Sequence, residues 1–77
     1  MNIEEKYHQI FKCLRGFSSM AKPTNGFNSA FGKITRVNSK GITIGKGEDA
    51  VTLEYAQIHK FVVAEEFVEI SYYNFTY

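Results

Sequence analysis

The side chains with the most chemistry to offer at neutral pH are one thiol and two imidazoles, Cys13, His8 and His59. His8 and Cys13 are five residues apart, so on a helix their side chains point about 140° from each other and do not converge. No short His or Cys spacing of the kind that builds a zinc site occurs, and a metal needs three or four converging ligands. Glu65 and Glu66 are consecutive, and on a strand they would face opposite sides, which rules out a working carboxylate pair there. Cys13 borders an apolar stripe and reads as a small boundary hydrophobe, and His59 as a solvated surface residue. No catalytic residue, metal ligand or cofactor is expected, and the chain reads as a non-enzyme.

The run Gly26-Phe-Asn-Ser-Ala-Phe-Gly32-Lys33 resembles a phosphate loop only superficially. Its glycines are one residue too far apart, and Ile34 stands where a magnesium-binding hydroxyl is needed. The residues that follow also have strand character, whereas a phosphate loop must open a helix.

The cations make a better case. Eight basic residues and no acid fall between Lys6 and Lys46, whereas six acids and only Lys60 follow from Glu48 onward. A net charge of +1 therefore conceals two halves of opposite sign, a pattern that points to anion binding if one face inherits it. Lys33, Arg36, Lys40 and Lys46 are the candidate anion contacts, with Lys22 nearby and Phe17, Phe27 and Phe31 as stacking surfaces for a base. In a regular strand Lys33, Thr35 and Val37 would share one face, with Ile34 and Arg36 on the other. The competing account is that acidic strands neutralise the basic ones across the sheet and that the phenylalanines fill the core. A second unusual feature is Tyr72, Tyr73, Phe75 and Tyr77, four aromatics in the last six residues. They predict either a packed edge strand or an interface with another subunit or partner protein.

The elements that must position these residues follow from periodicity. Ile3, Tyr7, Ile10, Phe11 and Leu14 form one helical stripe over residues 3–15, with Asn2 as N-cap, acids in the first turn and Gly16 after the last. Residues 16–30, with two glycines, three serines and the only proline, read as an irregular loop, either anchored to the core or contacting a ligand. Segments 31–38, 41–45, 51–55 and 67–73 read as strands, with turns at 38–41 and 45–49. Residues 56–60 read as a helical turn and 61–64 as a further extended piece.

The fold class is therefore α+β: an N-terminal amphipathic helix packed on a twisted antiparallel meander of four to five strands. In element order this is similar to Sm-like and SH3-like small barrels, which would imply a closed barrel. The similarity stops at element order. Sm-like families place an aspartate or asparagine in one turn and an arginine-glycine pair near the end for RNA contacts, and neither is found here.

Length sets the remaining bounds. Seventy-seven residues make one domain, 1–77, with a core but a modest one. No apolar run approaches the ~18 residues that span a bilayer, and the charged start does not fit a signal peptide. A lone cysteine fits a reducing, cytoplasmic setting. Phe, Tyr, Ile, Asn, Lys and Met supply 33 residues, and their AT-rich codons fit a low-GC bacterium or its phage. The expected function is a small accessory or inhibitor-type binding protein, as phages and mobile elements carry. It would be homo-oligomeric and would act on a protein target or sequester a small anionic ligand, such as a nucleotide, at a subunit interface. The alternative is nucleic-acid binding through the basic half.

Overall fold

The computed structural model describes residues 2–26 and 29–73. Helix α1 spans Ile3–Phe11, and the Asn2 side chain accepts a hydrogen bond from the Glu5 amide at 2.8 Å, which satisfies one of the open donors of the first turn. The helix ends four residues earlier than its stripe implies. Tight turns take over, with the Leu14 amide donating to the Phe11 carbonyl at 2.8 Å, and Leu14 still reaches the core. Gly16, at φ 95°, then reverses the chain in a conformation that glycine adopts without penalty.

Six strands follow: β1 Ser18–Pro23, β2 Ala30–Val37, β3 Gly41–Ile44, β4 Val51–Glu54, β5 Ile58–Ala64 and β6 Phe67–Tyr72. They form one sheet in the order β4-β3-β2-β1-β6-β5. β1 pairs antiparallel with β2 and parallel with β6, so the sheet is mixed. This corrects the expected meander of four to five strands.

β1 is the extra strand, and it lies inside the segment expected to be an irregular loop. Its inward positions are Ser19, Ala21 and Pro23, residues too small or too polar to register as a hydrophobic alternation. Neighbours on both sides hold it extended, and Ser19 Oγ donates to the Gly32 carbonyl at 2.9 Å.

The sheet does not close into a barrel. β4 and β5 are its two edges, although only a 3-10 turn at Tyr55–Gln57 separates them in sequence. Aromatic rings from the helix pack there instead. Phe11 lies 4.8 Å from Phe61 and 5.9 Å from Tyr55 between ring centroids, and Tyr7 lies 5.4 Å from Phe61.

The core joins Phe11 and Leu14 to Ala21, Ile34, Ile42, Ile44, Leu53, Tyr55, Ile58, Val68 and Ile70. Tyr55 is the polar member. Its hydroxyl donates to the Asn38 carbonyl at 2.7 Å, and burial pushes its phenol up to about 12. Asn38 shapes the β2–β3 turn, since its side-chain oxygen accepts from the amides of Lys40 (2.9 Å) and Gly41 (3.0 Å). Among the described residues no helix is long and apolar enough to cross a membrane.

Candidate functional site

The site begins with a fault in the β2–β3 ladder. Ile34 pairs with Ile44, but the next pairs are Arg36 with Thr43 and Val37 with Ile42, which leaves Thr35 as a bulge. In an unbroken strand Ile34 and Arg36 would share a face, and the guanidinium would be driven toward the core. The bulge resets the alternation. Ile34 is buried, Val37 packs against the core, and Arg36 is exposed opposite Thr43. Thr35 fastens the bulge, with its hydroxyl 2.7 Å from the Gly45 carbonyl and 3.3 Å from that of Thr43.

The outer row continues from Arg36 through Thr43 to Thr52 on β4, where the two threonine hydroxyls lie 3.4 Å apart. Gly45, at φ 81°, turns the chain after β3 and brings Lys46 alongside. These residues line a depression of about 390 Å³ that contains Arg36, Lys46, Thr35, Thr43 and Thr52 and no carboxylate. Among the described residues no ion pair engages either cation. The arrangement offers a planar fork of N–H donors, an ammonium and threonine hydroxyls on one concave surface. An oxyanion could accept from all three types of donor.

The four expected anion contacts do not form one rim. Arg36 and Lys46 share this groove. Lys33 lies in a separate depression of about 300 Å³ with Arg15 and Glu66, whose carboxylate offsets the charge there. Lys40, at the β2–β3 tip, is 3.6 Å from the Glu4 carboxylate, a surface pair of little energetic weight. Cross-strand neutralisation is not the organising device either, because that helix-to-turn contact is the single ion pair among the described residues.

Of the terminal aromatics, Tyr72 is half-buried against the core, and Tyr73 is 41% exposed with its hydroxyl 2.7 Å from His59 Nδ1. Phe75 and Tyr77 lie outside the described residues, as does Phe27. Phe17 packs on the core, whereas Phe31 is 70% exposed on β2.

The nucleophile and ligand inventory stays dispersed. The His8 ring stacks on Tyr55 at 6.4 Å, and Cys13 is exposed, its Sγ 3.8 Å from the Gln9 carbonyl. Cys13 was expected at the apolar boundary; the early helix end places it in a surface turn. Among the described residues no three His, Cys, Asp or Glu side chains group as a metal site would require. Gly32 and Lys33 lie within β2, so the glycine-rich run leads into a strand and has no helix terminus behind it. Glu65 and Glu66 form the β5–β6 turn.

Sequence reasoning had Arg36 and Lys46 but not the threonines beside them. Their signal was present: Ile42-Thr43-Ile44 and Val51-Thr52-Leu53 each set an outward hydroxyl between apolar residues. No family model, curated protein or solved structure matches the chain.

Proposed function

We propose that this is a non-catalytic binding protein that sequesters a small phosphate-bearing anion of the nucleotide class in the groove between Arg36 and Lys46. The observation that carries the reading is the bulge at Thr35. It breaks the ladder at the one place where doing so lifts an arginine out of the core and sets it beside two register-paired threonines. A guanidinium binds phosphate through two parallel N–H bonds, each about twice as strong as a neutral hydrogen bond, and Lys46 adds a mobile charge. The volume, about 390 Å³, falls at the small end of the roughly 300–1,000 Å³ range of small-molecule sites.

A compact anion suits this surface better than a long nucleic acid. The cations stand in three separate places, and the acidic C-terminal half repels a polyanion that must track across it. The groove is walled by one chain, which allows binding without a second subunit. Sequestration of such a ligand is the accessory role that fits a chain of this size.

Calorimetric titration with inorganic pyrophosphate tests the reading. Wild-type protein is expected to bind, Arg36→Ala to weaken binding by about tenfold or more, and Lys40→Ala to leave it unchanged. Absence of binding at low salt, or an Arg36→Ala protein that binds as well as wild type, overturns it.

A further inference from the structure

We infer that β5 is a dimerisation edge, pairing antiparallel with β5 of a second copy about a two-fold axis at Val63. β5 is hydrogen-bonded only to β6, and it is the longer of the two sheet edges, seven residues against four in β4. The Ile58 amide donates to the Tyr55 carbonyl at the start of the strand, and among the described residues no backbone hydrogen bond outside the β5–β6 ladder reaches His59–Ala64. The centre of this open edge is apolar, with Val62 60% and Val63 45% exposed. The one bulge of β5, at His59, lies near the start of the strand, so Lys60–Ala64 is a regular edge and a template for another strand.

The charges along the strand select a second copy as that strand. β5 carries His59-Lys60 near its start and runs into Glu65-Glu66 at its end. Antiparallel self-pairing sets the basic end of each strand against the acidic end of the other, twice over by symmetry, whereas a parallel arrangement opposes like charges. Lys60 and Glu66 have no ion-pair partner within the described part of the chain, so both can serve this contact. The cross-strand row that runs from Val62 through Glu69 and Met20 to Phe31 would then continue across the axis into the second subunit.

Sedimentation of the full chain over a range of concentrations, with matched variants, decides the matter. Wild type is expected at twice 8.8 kDa. Val62→Lys and Lys60→Glu should each raise the dimer dissociation constant by about tenfold, with the double variant Lys60→Glu/Glu66→Lys restoring it. Arg36→Ala should leave assembly untouched, which separates this claim from the anion groove. A wild-type protein that is monomeric throughout overturns the inference, as does a dimer unmoved by either single variant. Hydrogen exchange of wild-type β5 amides gives an independent reading: protection that rises with protein concentration supports the pairing, and protection that does not rise overturns it.

Discussion

On the β2-β3-β4 side of the sheet, the outer surface is a row of Arg36, Thr43 and Thr52; on the β1-β6-β5 side it presents Met20, Glu69, Val62 and Phe67. Both sides cover the same core, so the contrast is not imposed by folding. Threonines and an arginine lose little by staying in water and can exchange it for a polar solute. Exposed Val62 and Phe67, with Phe31 at the edge of the same row, gain only when something apolar covers them. One sheet thus supports two kinds of recognition, a wet groove for an anion and a strand edge for a copy of itself. The bulge at Thr35 marks the change, because it shifts the alternation of β2 from outward Phe31 and Lys33 before it to outward Arg36 after it.

The comparison breaks first if the β3–β4 register is wrong. At Gly41 an added methyl would fall inside contact distance of the Leu53 carbonyl oxygen and 2.9 Å from Glu54 Cα, both backbone atoms that cannot swing aside. Gly41→Ala is therefore expected to cost about 3 kcal/mol or more, or to prevent folding, as judged by urea denaturation. A cost below about 0.5 kcal/mol would show that the strands are not this close.

Tyr55 sharpens the picture of the core the two sides share. Tyr55→Phe removes the hydroxyl bond to Asn38 and should cost about 1–2 kcal/mol. The phenol also sets a pH dependence with a definite sign. Its folded value of about 12 lies above the ordinary 10, so folding favours the neutral form. That contribution is complete below pH 10 and is lost as pH rises toward 12. Denaturation midpoints measured across this window should fall in the wild type, and the part of the fall due to Tyr55 should be absent in Tyr55→Phe.

A smaller effect is expected at the bulge itself. Thr35→Val keeps the volume but removes the hydroxyl that fastens β2 to the Gly45 carbonyl, at a cost of about 1 kcal/mol. Pyrophosphate binding should weaken with it, because the bulge holds Arg36 outward; unchanged binding would mean that Arg36 does not depend on this staple. The smallest effect belongs to Cys13, exposed in its turn. Cys13→Ser should change stability by less than about 0.5 kcal/mol and leave binding unchanged.

What could be read in the sequence follows from where the physics is local. The helix start was legible because Asn2 and the acids of the first turn act within a few residues. β3 and β4 were legible because Ile42, Ile44 and Leu53 alternate with threonines. β1 was not, since Ser19 and Ala21 become strand only through the neighbours that flank them. The end of the helix was hidden for the opposite reason: Leu14 continues the apolar stripe but reaches the core by a turn. Arg36 and Lys46 were among the residues named as anion contacts, yet the feature that brings them together is a one-residue register shift between two strands. No single segment encodes that shift. The open sheet likewise depends on aromatic rings of α1 meeting Tyr55 and Phe61, a long-range contact that element order does not reveal.

The claim that the bulged strand builds an anion site is tested most directly by titrating pyrophosphate into isotope-labelled protein and following backbone amide shifts. The largest changes should cluster at Thr35, Arg36, Thr43, Lys46 and Thr52, saturate together, and need about tenfold or more pyrophosphate in Arg36→Ala. Shifts centred instead on Arg15 and Lys33, or no saturating shifts at all, would contradict the account.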